Sequence, residues 1–227
     1  MDKPFRYERK YLISTKDYHE IRSRLKKIVD LDKNAGEKGE YFIRSLYFDD
    51  INDTAYAEKL DGRCEKEKFR IRIYNCSDKV IKLEKKEKAG FYNAKASETI
   101  DLETCRALIA GRPEAIPLNT SPLVDEFCAK MRVKLLRPKV IVDYNREAYT
   151  SPFSRTRITF DKNLRTGNYA TELFDPNLPT LAVMDKGYML MEVKFDEYMP
   201  THISNILSMT NATQTSFSKY AMCRKFQ

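Results

Sequence analysis

The segment Lys68-Phe69-Arg70-Ile71-Arg72-Ile73-Tyr74 alternates polar and apolar side chains residue by residue. A period of two belongs to a β-strand, whose successive side chains leave opposite faces of a sheet; a helix repeats every ~3.6 residues. The pattern recurs along the chain. In Tyr188 to Asp196, Met189, Met191, Val193 and Phe195 oppose Glu192 and Lys194. In Val80 to Lys86, Ile81 and Leu83 oppose Lys82, Glu84 and Lys86, and in Arg155 to Asp161, Ile158 and Phe160 oppose Arg155, Arg157 and Thr159. Glu8 and Lys10 share one side of Phe5 to Ile13, and two apolar-rich strands are expected at Tyr41 to Asp49 and Lys139 to Arg146. Helices are expected between these strands. Thr15 can cap one that carries Tyr18, Ile21, Leu25 and Ile28; short ones follow Asp53 and Asp101 and end at Gly62 and Gly111. Ser121-Pro122 opens another through Leu123, Val124, Phe127, Cys128, Met131 and Leu135, and two short pieces lie near Thr201 to Met209 and Ser218 to Lys225. Asp30 to Glu40, Gly90 to Ser97, Gly111 to Thr120 and Leu164 to Thr180 read as loops. No repeat or linker divides the chain, so residues 1–227 are expected to form a single α+β domain.

For one strand, a charged face is ordinarily a solvated face. Five strands that repeat Arg, Lys and Glu in alternating rows strain that reading. A second arrangement closes the strands into an antiparallel β-barrel with a charged interior and amphipathic helices packed outside. Its lining would hold Lys10, Arg70, Arg72, Lys82, Lys86, Arg146, Arg155, Arg157, Lys194 and Lys219 against Glu8, Glu84 and Glu192. These residues carry a net seven of the eight excess positive charges of a chain with 41 Lys and Arg against 33 Asp and Glu. The remaining surface is nearly balanced, which argues against a nucleic-acid partner and for a concentrated anionic one. Arginine forks grip phosphate oxygens in pairs, and one or two glutamates facing a triphosphate suffice for Mg²⁺ or Mn²⁺. The carboxylates Glu8 and Glu84 can equally serve as salt-bridge partners that orient a neighbouring cation.

Other chemistries lack raw material. His19 and His202 are the only histidines, both in segments that read as helical, which leaves little for a histidine metal cluster or a catalytic triad. The five cysteines, 64, 76, 105, 128 and 223, are odd in number with no CxxC pair, and are expected to be reduced. No apolar run reaches 18 residues, so no membrane span is expected in this chain. The N-terminus enters a charged alternating segment directly, so the cytoplasm is the expected compartment.

Nine short motifs in order give the chain a resemblance. They are Tyr7-Glu8-Arg9-Lys10-Tyr11, Ser45-Leu46-Tyr47-Phe48-Asp49, Phe69-Arg70-Ile71-Arg72, Leu83-Glu84-Lys85-Lys86, Leu136-Arg137-Pro138, Tyr144-Asn145-Arg146, Arg157-Ile158-Thr159-Phe160-Asp161, Glu192-Val193-Lys194 and Phe217-Ser218-Lys219-Tyr220. Together they resemble the triphosphate tunnel metalloenzymes, and more closely the polyphosphate polymerase domain of the vacuolar transporter chaperone family. The resemblance implies a triphosphate tunnel fold in which Lys10, Arg70, Arg72, Lys86, Arg146, Arg157 and Lys219 bind phosphate at the reaction centre. Lys82, Lys95, Tyr144, Arg155 and Lys194 would contact the substrate, and Glu192 with Glu8 would face the metal, Mn²⁺ or Mg²⁺. The implied partners are ATP, inorganic polyphosphate and triphosphate or pyrophosphate, and a membrane-embedded partner protein is compatible with it. The first strand reads Arg6-x-Glu8-x-Lys10 where hydrolases of the superfamily usually show Glu-x-Glu-x-Lys. That points away from a triphosphatase and toward transfer of the γ-phosphoryl group of ATP to a polyphosphate chain. Ser216 stands where the polymerases tend to carry a second lysine. A hydrolase with the same tunnel and a non-catalytic polyphosphate-binding domain therefore remain the alternatives.

Overall fold

The computed structural model describes residues 7–89, 92–210 and 212–227. Phe5, Arg6, Gly90 and Phe91, which enter the sequence readings above, lie outside the described residues. In chain order the elements begin with β1 (Tyr7–Ser14), α1 (Thr15–Leu25), β2 (Asp30–Leu31), β3 (Tyr41–Asp49) and α2 (Thr54–Leu60). They continue with β4 (Lys66–Tyr74), β5 (Ser77–Ala89), β6 (Tyr92–Ile100), α3 (Leu102–Ile109), α4 (Pro122–Val133) and β7 (Arg137–Thr150). The last are β8 (Arg157–Thr166), β9 (Leu181–Ala182), β10 (Tyr188–Phe195), α5 (Thr201–Ser208), β11 (Thr213–Gln214) and α6 (Lys219–Arg224). The chain resolves into two compact units, each assembled from separated segments. The first takes residues up to 42, 144–164 and 184–217; the second takes 43–143, 165–183 and 218–227.

In the first unit the hydrogen-bonded order is β11-β1-β10-β8, all antiparallel. Tyr11 and Ile13 of β1, Met191, Val193 and Phe195 of β10, and Ile158 and Phe160 of β8 form one face. That face buries against Tyr18, Ile21 and Leu25 of α1 and Ile203, Ile206 and Leu207 of α5. Helix α1 is capped by Ser14, one residue before the expected Thr15: Ser14 accepts from the Asp17 amide and Asp17 returns the bond to the Ser14 amide. Within this core sits a carboxylate. Glu147 is 1% exposed and accepts from Tyr18 Oη at 2.5 Å, Arg22 Nε at 2.6 Å, Lys162 Nζ at 3.2 Å and Tyr149 Oη.

In the second unit the order is β3-β4-β5-β6. Leu46, Phe48, Phe69, Ile71 and Leu83 bury against Cys105 and Leu108 of α3 and Val124, Phe127 and Met131 of α4. Phe127 meets Phe48 edge-on at 4.9 Å and Phe69 at 5.0 Å. Arg44 also lies on this apolar side, 2% exposed. It forks onto Asp143 at 2.8–3.2 Å and donates to the carbonyls of Leu173 and Asp175. Strand β6 replaces the loop expected around Lys95. Its apolar phase is carried by Ala94 and Ala96, too small to signal a strand, and β5 recruits it through backbone pairing from Ile81↔Ile100 onward.

The α+β class and the antiparallel pairing are as expected; the closed barrel is not what the described pairing forms. The pairing stops at β11, two residues long and bonded only to β1, and at β6, bonded only to β5. Among the described residues no helix is long and apolar enough to cross a membrane.

Burial raises the Glu147 carboxyl, but hydrogen bonds from Tyr149, Tyr18 and Arg22 outweigh it and bring the group to about 2. A depressed carboxylate stabilises the fold fully above its ordinary value near 4.5, and that contribution fades as pH falls toward the folded value. Glu147→Gln is expected to lose on the order of 3 kcal/mol at pH 7, with the two proteins converging between pH 4.5 and 2 in urea melts. A constant difference across that window would show that ionisation of Glu147 contributes nothing.

Candidate functional site

The face of the second unit opposite its core is built by register. Across β3, β4, β5 and β6, Tyr47 stands opposite Arg70 and Arg70 opposite Glu84; Ser45 stands opposite Arg72 and Arg72 opposite Lys82. Lys68 faces Lys86, which faces Lys95. Six cations thus share one sheet face with Glu84, and Asp49 at the end of β3 has the same parity. Glu84, 1% exposed, takes Arg70 Nε at 2.7 Å, Arg70 Nη2 at 2.6 Å, Lys95 Nζ at 2.5 Å and Arg72 Nη1 at 3.6 Å. Burial raises its carboxyl, but Arg70, Arg72 and Lys95 overcome this and hold it well below the usual carboxylate range. Lys95 shifts downward, because burial and the two arginines outweigh Glu84. Arg70 donates its remaining branch to Tyr47 Oη at 2.6 Å. Tyr220, the residue after Lys219, lies 5.1 Å from the Tyr47 ring, donates to Asp49 Oδ2 at 2.6 Å, and has the Lys68 ammonium over its ring at 4.9 Å. Lys219 itself opens α6, half-buried.

The first unit carries a second charged face of different character. Glu8 stands opposite Lys194 and Lys194 opposite Arg157; Lys10 stands opposite Glu192 and Glu192 opposite Thr159. Lys10 reaches Glu8 at 3.6 Å and the Phe217 carbonyl at 3.1 Å. Arg146 forks onto Asp161 at 2.6 and 2.7 Å and lies 3.7 Å from Glu192. Burial lowers the Arg146 guanidinium, and Asp161, Tyr144 and Glu192 more than offset it. Tyr144 is buried beneath Arg146, 5.3 Å from ring to guanidinium. Arg157 donates to Asp32 at 2.6 Å and Tyr41 Oη at 3.2 Å. Its Nε and the Thr159 hydroxyl are buried without a hydrogen-bond partner. Arg155 stands apart: β8 begins at Arg157, and Arg155 precedes it at 73% side-chain exposure, 3.9 Å from Asp196.

On the first unit's charged face, Glu8 and Glu192 are the carboxylates whose chemistry suits a hard divalent cation. Hard cations need few protein carboxylates when phosphate completes the shell. Glu8 and Glu192 sit diagonally across β1 and β10, and the unsatisfied Thr159 oxygen lies beside Glu192. A trio on the core side, Glu67, Glu87 and Glu126, also has oxygens close enough for a metal. Lys85 and Lys130 already occupy them, with Lys85 reaching Glu126 at 2.5 Å and Glu67 at 3.2 Å, and Lys130 pairing with Glu67.

The profile of the VTC domain matches residues 5–226. The chain belongs to the VTC domain family. No curated protein matches it. Among solved structures, a Bacillus halodurans protein put forward as an adenylate cyclase superposes with a TM-score of 0.52 at 14% identity, over 92% of this chain and 89% of that one. At that identity the likeness is one of fold. For the VTC domain, sequence reasoning passed over Lys66, Lys68 and Lys88, although parity alone puts them with Arg70 and Lys86. It also passed over Asp161, whose pairing with Arg146 depends on how β7 and β8 are placed.

Removing Glu84 takes away the carboxylate that Arg70, Arg72 and Lys95 share. Glu84→Gln is expected to cost about 3–5 kcal/mol in anion-free buffer, with tripolyphosphate or sulfate restoring more of the melting temperature than in the parent protein. Equal melting of the two proteins would deny Glu84 its organising role.

Proposed function

We propose that this VTC domain is a metal-dependent polyphosphate polymerase, a single-domain enzyme that transfers the γ-phosphoryl group of ATP to a growing polyphosphate chain in the cytoplasm. An oxygen of the acceptor phosphate forms the new P–O bond, the bond to the β,γ-bridging oxygen breaks, and ADP leaves with that electron pair. Such transfer asks little covalent help of a protein; in-line positioning and neutralisation of spread negative charge do most of the work. The observation that carries the reading is the sheet face that gathers Lys68, Arg70, Arg72, Lys82, Lys86 and Lys95, with Glu84 engaging Arg70, Arg72 and Lys95.

In this reading Glu84 holds Arg70 and Arg72 in fixed orientations before substrate arrives, so little ordering entropy is lost on binding. Arg146 and Arg157 position phosphate oxygens in the first unit, and Lys10, Lys86 and Lys219 act as point charges. Lys82, Lys95 and Lys194 extend the contact, with Tyr144 supporting Arg146 from below. Arg155, exposed ahead of β8, is assigned a further substrate contact in the first unit. Glu192 and Glu8 would hold Mn²⁺ or Mg²⁺, which when bound neutralises phosphate oxygens. An acceptor phosphate is already anionic, so no protein base is required, in keeping with a chain that has only two histidines.

Purified protein with ATP and Mn²⁺ should give a ladder of chains on a polyphosphate-stained gel, lost in Arg70→Ala. Glu192→Gln should lower turnover on the order of 10²-fold while leaving tripolyphosphate binding within a few fold. Free phosphate from tripolyphosphate without chains would establish the hydrolase, and binding without either product the non-catalytic domain. Tripolyphosphate affinity should also weaken with rising pH before the ordinary lysine value of 10.5, because Lys95 loses its proton early. Persistence of that step in Lys95→Gln would assign it to another group.

A further inference from the structure

Two motifs of the sequence, Ser45-Leu46-Tyr47-Phe48-Asp49 and Phe217-Ser218-Lys219-Tyr220, supply three side chains that the proposed reaction does not use: Tyr47, Asp49 and Tyr220. Tyr47 and Asp49 alternate with Phe48 along β3, so they share one side of the sheet. A single residue from the far end of the chain meets both. Tyr220 of α6 lays its ring 5.1 Å from that of Tyr47 and donates its hydroxyl to Asp49 Oδ2 at 2.6 Å. It is 2% exposed yet stands outside the apolar cluster that α3 and α4 cover, so filling that core is not its task. Its mount is stiff. Asp49 also accepts the amides of Asp50 and Ala55 at 2.9 Å and of Tyr56 at 3.0 Å. Arg224 donates to the Tyr220 hydroxyl at 3.0 Å while pairing with Asp53 at 2.8 Å. Burial and then Asp49 raise the Tyr220 phenol above its ordinary value, so it keeps the proton it donates.

Arg70 gives Nε and Nη2 to Glu84 and Nη1 to Tyr47 Oη at 2.6 Å. Glu84 is shared with Arg72 and Lys95, so its grip alone does not decide where the plane of Arg70 settles. A second fixed point decides it, provided the phenol that supplies that point cannot turn, and Tyr220 packs against that phenol. We propose that Tyr220 is a positioning residue: through Tyr47 it fixes the guanidinium of Arg70, so that the last helix of the chain sets the geometry of the cationic face. The proposal rests on the phosphate-binding reading above and deepens it by naming what holds one of its arginines in place.

The test uses Tyr220→Phe, which keeps the ring and removes the hydroxyl, and Tyr47→Phe, which removes the acceptor of Arg70 and leaves the bonds of Tyr220 to Asp49 and Arg224 alone. Heteronuclear NMR reads Arg70 directly: its Nε–H resonance, assigned by its loss in Arg70→Lys, should be sharp in the parent protein and broadened in both variants. Calorimetric titration well below the melting temperature should show tripolyphosphate affinity falling roughly fivefold in each variant. The double variant Tyr47→Phe/Tyr220→Phe should fall no further. In an Arg70→Lys background, Tyr220→Phe should leave affinity unchanged while still lowering the melting temperature, which separates positioning from anchoring of the fold. An Arg70 resonance unmoved by Tyr220→Phe overturns the proposal. So do affinity losses that add across the pair, or that persist undiminished in the Arg70→Lys background. A parent protein that binds no tripolyphosphate sinks the phosphate reading separately, because the resonance reports how Arg70 is held without any ligand.

Discussion

Glu84 is the charge on which the second unit's cationic face depends. Arginines and lysines brought onto adjacent strands repel, and a buried cation without a partner is costly. One carboxylate at the centre of the register, touching Arg70, Arg72 and Lys95, removes the worst of that repulsion without cancelling the excess of positive charge. What remains is a set of guanidinium groups already turned in one direction. The first unit solves the same problem differently: Asp161, Glu192, Glu8 and Asp32 nearly match Arg146, Lys10, Lys194 and Arg157. One face keeps an excess of positive charge; on the other, acids and cations balance.

Strand pleating is what lets such charge coexist with a dry core. Phe69, Ile71 and Leu83 reach α3 and α4, while Arg70, Arg72 and Glu84, their immediate neighbours in sequence, leave the opposite side. Arg44 and Glu147 break the rule, since both are charged yet lie on the helix-facing side. Each is tolerated because its polar atoms are met: Arg44 by Asp143 and two carbonyls, Glu147 by two phenols, Arg22 and Lys162. Arg44 in addition fixes the segment around Leu173 and Asp175, which has no regular structure of its own.

Alternation made the strands at Lys68 to Tyr74 and Tyr188 to Asp196 legible, and with them the facing of Arg70, Arg72, Glu192 and Lys194. Where the apolar phase is carried by alanine, as in β6, the signal vanishes and only backbone pairing defines the strand. Arg155 fell on the wrong side of a strand boundary, because Arg155 and Arg157 share parity whether or not the backbone between them is extended. Ion-pair partners were mostly hidden, because Arg146 with Asp161 or Lys162 with Glu147 follows from where two strands lie side by side. Barrel closure was inferred from the charge pattern alone, which fixes which way side chains point and leaves open where the hydrogen-bonded ladder ends.

The sorting of Lys66, Lys68 and Arg70 from Glu67 and Phe69 has a consequence for how this family can vary. Substitution at the even-numbered positions of β4 changes the charge of the outer face while leaving Phe69 and Ile71 in the core. Insertion or deletion of a single residue within the strand has no such freedom. It would exchange the two faces beyond that point, sending lysines into the helix layer and phenylalanine onto the charged face. A change of length in this hairpin is therefore tolerable only at its ends, whereas exchange of outward side chains at constant length leaves the core intact.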